Sequence, residues 1–404
     1  MWFEHKGEKC MSRINIALCG IGGYAMLYTR YILDRKDPRI CPVGVVEPYP
    51  DSCPRLAELE AAGIPVYATL DELYAAHTVD LTVIATPIQC HTPQILTALH
   101  SGSNVLCEKP LCADEKDIEI LRQASRETGK FVFIGYQWSY SPVTLALKKD
   151  IGSGRFGKCL EMKTIVLWPR DLAYYRRGSG WAGKIADQNG ALIYDSIANN
   201  ATAHYLHNIL FVLGEDGKAA VPETIRGELL RANDIENFDT CKVDLTFPGG
   251  TKACYIASHA VDKTLNPTYH FRFEKGDVYY SQTKNELSLS VMPEDYTEYG
   301  QVIAATADGE RISYGNPFSD EYEKLETAIA AAVSGDNREY PCGIEAASVH
   351  TGVINRLQQQ ETVRNFAACR LVRTEERVYA DGLWADLLEC YRDPGKSIGC
   401  RAEV

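Results

Sequence analysis

The segment RINIALCGIGGYAMLYTRYILDRK, residues 13 to 36, constrains the fold more than any other. A short run rich in Ile and Leu reads as a buried strand, a glycine turn follows, and the apolar spacing beyond it reads as a helix. The small residues fall at Gly20, Gly22 and Ala25, the pattern G-x-G-x-x-A. Gly20 permits the tight turn, Gly22 lets backbone approach a pyrophosphate, and Ala25 lets the helix pack on the strand. Gly23 and Tyr24 complete the loop, and the first turn of the helix turns unpaired N–H groups toward the phosphates. A second strand, in CPVGVVEPYP, ends at Glu47, 22 residues after Ala25. An acid there accepts hydrogen bonds from the adenosine ribose and repels a 2′-phosphate, so NAD is favoured over NADP.

The alternation continues. Strands at VDLTVIATP, SNVLCEKP and KFVFIGY are separated by helices at SCPRLAELEAAG, TLDELYAAH, HTPQILTALHSG and DEKDIEILRQASRETG. Residues 13–135 are therefore expected to form a doubly wound parallel sheet of the Rossmann type, an α/β domain with its ligand at the carboxyl ends of the strands. Thr86, Pro87, Glu108, Lys109, Gly135 and Tyr136 all fall at that edge. Lys109 ends a central strand, and Pro110 restrains its backbone. A desolvated lysine beside a cationic nicotinamide has a lowered pKa, which makes it usable as a base; the alternative is a solvated loop lysine.

GIGGYA, ATPIQCHTPQILTALHSGSNVLCEKPL and NATAHYLHNILFVLG together resemble the Gfo/Idh/MocA oxidoreductases, named for glucose-fructose oxidoreductase, inositol dehydrogenase and a rhizopine-catabolism protein. The resemblance covers most of the chain. It implies that Lys109 of the E-K-P motif lies beside the nicotinamide, that the Lys109–Pro110 bond is cis, and that His91 joins Thr86, Pro87 and Glu108 around the cofactor. The family's Asp-x-x-x-His pair aligns here with Asn200 and His204, followed by His207, so the histidine is kept and its acidic partner is not. Without that anion His204 is expected to be a weaker base than the family norm, and Asp195 is a candidate substitute. Trp138 and Ser139 stand where many members carry an arginine, which makes Trp138 a candidate substrate contact.

From Tyr136 the alternation stops, and residues 136–404 read as an α+β domain for substrate binding and oligomerisation. KCLEMKTIVLW, ETIRGELLRA, FDTCKVDLTF, TKACYIASHA and TYHFRFEKGDVYY read as strands with turn-like breaks, especially FPGGT, the signature of a largely antiparallel open sheet. A helix from about residue 196 to 213 would lie across it, with Asn200, His204 and His207 at i, i+4 and i+7. No carboxylate or thiol completes a metal site with the two histidines, and hydride transfer needs none. His207 is expected to be satisfied within the domain interface and His350 to be structural. In LWPRDLAYYRRGSGWAGK, residues 167–184, Trp168, Tyr174, Tyr175 and Trp181 offer flat faces to a sugar ring, while Arg170, Arg176 and Arg177 can hold hydroxyls or an anionic group. The alternative is a subunit contact. The sheet's other face needs covering, and the resemblance implies a homo-oligomer there, dimer or tetramer.

A net charge of −12 argues against nucleic acid or an anionic membrane as a partner. The fourteen cysteines include no CxxC pair and follow no secretory segment, so they read as reduced thiols in a cytoplasmic protein. No apolar run approaches the roughly 18 residues of a membrane span. Residues 1–12 read as a loose extension, and the tail after Gln360 carries mixed signals. The expected activity is hydride transfer between NAD and a secondary hydroxyl or ketone of a sugar, glycoside or cyclitol, with Lys109 and His204 as the acid/base pair and Asn200 beside them. Two alternatives stay open: a redox-neutral enzyme that keeps NAD bound while cleaving glycosides, and a dinucleotide-binding sensor without catalysis.

Overall fold

The computed structural model describes residues 13–399 except 178–179, 294–295, 319 and 336–340; the expected extension at 1–12 lies outside the described residues. Strands β1 (Ile14–Cys19), β2 (Ile40–Val46), β3 (Val66–Tyr67), β4 (Leu81–Ile84), β5 (Asn104–Cys107) and β6 (Val132–Ile134) form one sheet in the order 3-2-1-4-5-6, parallel throughout. Their runs are apolar on both faces because helices cover both sides. The connecting helices are α1 (Met26–Arg30), continued by a π-helical turn at Tyr31–Arg35, then α2 (Leu56–Ala61), α3 (Leu70–Ala76), α4 (His91–His100) and α5 (Asp117–Thr128).

The register decides what meets at the carboxyl edge. Cys19 pairs with Ile84, Ile84 with Cys107 and Cys107 with Ile134. The next residues, Gly20, Ala85, Glu108 and Gly135, therefore stand side by side where the strand order reverses, the position at which such sheets bind ligands.

The second sheet contains β7 (Cys159–Leu167), β8 (Thr224–Arg231), β9 (Thr240–Thr246), β10 (Lys252–Ser258), β11 (Leu265–Phe273), β12 (Gly276–Ser281), β13 (Val302–Thr306), β14 (Arg311–Gly315) and β15 (Val363–Asn365). Its order is 14-13-12-11-7-10-9-8-15, antiparallel except where β7 meets β10 and β8 meets β15. TYHFRFEKGDVYY spans parts of two strands, β11 and β12, joined as a hairpin. Gly276 after its turn lies against β13, where a Cβ would come within 2.6 Å of the Ala305 carbonyl oxygen.

Helices α6 (Pro142–Gly152), α7 (Leu172–Arg176), α8 (Ala203–Leu213), α9 (Glu286–Val291), α10 (Glu323–Ser334), α11 (Ile344–Gln360) and α12 (Leu383–Arg392) complete the chain. The helix expected from residue 196 begins only at Ala203. Thr202 stops it from starting earlier: its hydroxyl donates to the Ile197 carbonyl at 2.6 Å and lies 2.5 Å from the Tyr255 hydroxyl, which holds 197–202 as turns. Helices α8 and α11 pack on the inner face of the second sheet, against β7 and β8.

Two later elements pack where their sequence does not announce it. Helix α10, from the last third of the chain, packs on β1, β4 and β5 of the first sheet. On the outer face of the second sheet, where the resemblance implied another copy, the apolar end is covered by the chain's own tail. Leu383, Leu387, Leu388 and Tyr391 of α12 bury Ile165, Leu167, Leu230, Cys254 and Ile256. Met292 and Tyr296 cover Ile303 farther along. The cysteines among the described residues are free, and no helix among them is long and apolar enough to cross a membrane.

Candidate active site

The glycine loop has the shape its sequence requires. Gly20 (φ +86°) and Gly23 (φ +54°) are left-handed, and a Cβ on Gly20 would meet the Ala85 carbonyl oxygen at 2.9 Å. Gly22 is extended, and Ala25 is buried behind the loop. Glu47 ends β2 beside it: one carboxylate oxygen accepts from the Ile21 N–H at 3.4 Å and the other from the Tyr49 N–H at 3.1 Å. An open left-handed turn with a carboxylate at its flank suits the pyrophosphate and ribose of NAD.

At the next strand the Thr86 hydroxyl donates to Gln94 Oε1 at 2.6 Å, with Pro87 leading into α4. His91 is buried, with Nδ1 2.7 Å from the Pro110 carbonyl and Nε2 3.0 Å from that of Thr86. It fastens the β4 end to the turn after Lys109. With each ring nitrogen within 3.0 Å of a backbone carbonyl, His91 shapes the cofactor edge. The Lys109–Pro110 bond is cis.

Lys109 is partly buried and reaches across to the second domain. Its Nζ donates to the Asn200 backbone oxygen at 2.9 Å and to Asn200 Oδ1 at 2.7 Å. The Asn200 amide is oriented by Asp195, whose Oδ1 accepts from Nδ2 at 2.8 Å and whose Oδ2 accepts from the Gly183 N–H at 2.6 Å. Asp195 thus contacts the Asn200 amide, whose oxygen in turn accepts from Lys109. Burial pushes the Asp195 carboxyl up, against the pull of its hydrogen bonds and of Lys109. Burial pushes Lys109 down to about 8, against the pull of Glu108 and Asp195.

His204 opens α8, with its Nδ1 buried and unpartnered among the described residues; burial, then the Lys109 charge, hold it neutral near pH 7. His207 is stacked on Tyr136 with ring centres 3.8 Å apart and lies 3.5 Å from Cys342 Sγ. His350 Nε2 lies 3.1 Å from the Ala198 carbonyl oxygen. Both histidines are internal props.

The aromatic loop after β7 is a ladder of alternating rings and guanidinium groups. Arg170 lies between Trp168 and Tyr174, at 5.7 and 4.8 Å, and Arg177 lies between Tyr174 and Trp181, at 3.5 and 4.8 Å. Trp168, Pro169, Arg170, Thr264 and Asn266 line a cavity of about 370 Å³, with the Trp168 indole donating to Asn266 Oδ1 at 3.1 Å. Trp168 packs edge-on to Tyr205, the neighbour of His204. Trp181 packs on Ile88 and Ala113, at the cofactor edge. Tyr175 turns inward with its hydroxyl buried. Two expected contacts are elsewhere. Arg176 points to solvent, and Arg177 takes the inner place because the short helix α7 presents only one of the two adjacent residues to the rings. Trp138 is core, 2% exposed and boxed edge-on by Tyr205, Tyr269, Tyr280 and Phe318.

Glu108 carries a surprise. Its carboxylate does not face the cofactor edge freely but is buried against the Lys324 ammonium of α10 and the Tyr28 hydroxyl of α1. Lys324 was legible only as a helical lysine on the stripe of Leu325, Ala328 and Ile329, a pattern that ordinarily reads as a snorkelling surface residue.

Residues 14–136 match the family described as Oxidoreductase family, NAD-binding Rossmann fold (GFO_IDH_MocA). The chain carries the NAD-binding domain of the Gfo/Idh/MocA oxidoreductases. It is similar to inositol 2-dehydrogenase of Rhizobium meliloti, 23% identical over 78% of this chain and 88% of that one. Against inositol 2-dehydrogenase of Corynebacterium glutamicum, identity is 30%, over 30% of this chain and 36% of the relative. Outside the matched domain the Gfo/Idh/MocA likeness is one of fold. WlbA dehydrogenase of Bordetella pertussis, solved with NADH and UDP-GlcNAcA, superposes with a TM-score of 0.66 over 86% of this chain and 97% of that one, at 20% identity. Aldose-aldose oxidoreductase of Caulobacter crescentus gives 0.65, also at 20% identity, over 86% and 97% of the two chains.

Proposed function

We propose that this NAD-binding oxidoreductase moves hydride between the nicotinamide and a secondary hydroxyl or ketone of a sugar, glycoside or cyclitol. The observation that carries the reading is Lys109: a partly buried amine at the carboxyl edge of β5, held between the glycine loop and the second domain by both oxygens of Asn200. NAD, when bound, supplies the hydride acceptor. A neutral amine has two N–H groups and one lone pair; Asn200 satisfies the donors and leaves the lone pair to take the substrate's hydroxyl proton. In the reverse direction the ammonium returns that proton to the ketone oxygen. His204, neutral and adjacent, is a second acceptor for a substrate hydroxyl.

Trp168, Trp181 and the two inner arginines suit a polyhydroxylated ring, whose C–H faces lie on aromatics and whose oxygens meet guanidinium groups. The names of relatives agree in class: inositol 2-dehydrogenase and 1,5-anhydro-D-fructose reductase of Ensifer adhaerens, the latter 28% identical over 38% of this chain and 43% of the relative.

The test is turnover of NAD with a panel of monosaccharides, glycosides, uronic acids and inositols, followed by absorbance of the reduced nicotinamide. Lys109→Ala is expected to lose about 10²–10⁴-fold in kcat while keeping its affinity for NAD. Cleaved glycosides without net reduced nicotinamide would establish the redox-neutral alternative instead. Binding of NAD without either product would favour a sensor.

A further inference from the structure

We propose that Lys324 is a positioning residue for Lys109: by pairing with Glu108 beneath the cofactor edge, α10 fixes the charge beside the acid/base amine and so sets the pH at which that amine is free. The proposal rests on the reading of Lys109 above.

The geometry is unusually closed. The Lys324 side chain is 0% exposed and Glu108 7% exposed, so their ion pair is sealed from solvent. Lys324 also donates to the Tyr24 hydroxyl at 3.0 Å, and its ammonium lies 4.8 Å from the Tyr24 ring and 5.5 Å from that of Tyr28. Tyr28 donates to the same Glu108 carboxylate. One cation from the far end of the chain therefore holds the glycine loop, the first helix and the E-K-P turn together. A Cβ on Gly135 would come within 3.0 Å of Glu108 Oε1, so the glycine at the next strand end leaves the carboxylate its place.

Glu108 precedes Lys109 directly, and a buried charge that close is weakly screened. Burial, the largest single influence, opposes the charge on Glu108, but Lys324, the Tyr28 hydroxyl and Lys109 together hold the carboxyl below its usual range. The charged or titratable groups that face Lys109 are Glu108, Lys324 and His91 on the first domain and Asp195, Arg177, His204 and His350 on the second. Of these, Glu108 and Lys324 are the pair whose charges cancel. Removing either partner leaves the other uncompensated, with opposite effects on Lys109. An unpaired Glu108 anion favours the ammonium of Lys109, and an unpaired Lys324 cation disfavours it.

The experiment compares Lys324→Met, Glu108→Gln and the double variant, each loaded with NAD. Two readouts are taken: the pH dependence of kcat/KM for oxidation, and the pH dependence of Lys109 labelling by an amine-reactive reagent, followed by peptide mass spectrometry without substrate. The expected result is a titration moved up in pH by about a unit in K324M, about tenfold in rate below the limb, moved down in E108Q, and restored near wild type in the double variant. A purely structural Lys324 would lower activity evenly across pH and leave both titrations in place, which overturns the proposal; so would shifts of the same sign in both single variants. If K324M does not fold, the return from E108Q to the double variant carries the test. Labelling shifts that the rate profile does not follow would support Lys324 and count against Lys109 as the acid/base group.

Discussion

Asn200 fills both donors of the Lys109 amine, and Asp195 decides which way its side-chain oxygen points. The carboxylate is thereby held one side chain farther from the amine than a direct acid partner would be, which leaves burial the dominant influence and the amine near pH 8. Oxidation needs the neutral amine, so kcat/KM is expected to rise with pH through about 8, and the reverse reduction to fall over the same range. Asp195→Asn removes a charge that favours the ammonium, so the amine becomes free at lower pH and the oxidation limb should move down by up to about one unit; a limb that stayed or moved up would contradict the relay. Trp138 tests the opposite kind of assignment. As a ring enclosed by four aromatics, its replacement by alanine is expected to cost about 3–5 kcal/mol in urea unfolding; a substrate contact would instead raise KM and leave the midpoint alone.

Among the elements, α8 depends on where it begins. Thr202→Val keeps the shape of the side chain but removes hydrogen bonds to Ile197 and Tyr255 in a fully buried place, and should lower stability by about 1–3 kcal/mol in thermal or urea melts. That helix also marks the limit of what the sequence told. Five of the six strands of the first sheet were readable because apolar runs covered on both faces have few other solutions, whereas the two-residue β3 is too short to leave a pattern; the glycines and Glu47 followed from phosphate and ribose chemistry. SIANNATAHYL carries no proline or glycine to stop a helix, so the boundary set by one threonine hydroxyl was invisible. The sequence likewise did not show that His91 lies between the Pro110 and Thr86 carbonyls. Arg177 and Arg176 are adjacent in sequence, and only the course of α7 separates the inner from the outer. Lys324 could not be paired with Glu108 from sequence, because they are 216 positions apart.

For the whole molecule, the tail changes what the second sheet asks of its surroundings. With α12 in place, Ile165, Leu167, Leu230 and Ile256 are buried, so this apolar end of the face is closed within the chain itself. Ending the chain after Asn365 would bare a continuous apolar face. Light scattering is expected to show concentration-dependent association of the shortened protein that the intact one does not show through this surface. An unchanged mass on truncation would mean that α12 is not the cover.

Helix α10 carries a consequence for biosynthesis. When the ribosome has finished the first 135 residues, every strand of the nucleotide-binding sheet exists, yet the part of its face under Leu325 and Ile329 is bare and Glu108 has no cation. Those partners emerge roughly 200 residues later, on the order of 10–40 s at ordinary translation speeds. The nascent chain must therefore wait, with an open seam and an unneutralised acid, until its last third arrives to close the fold that its first third began.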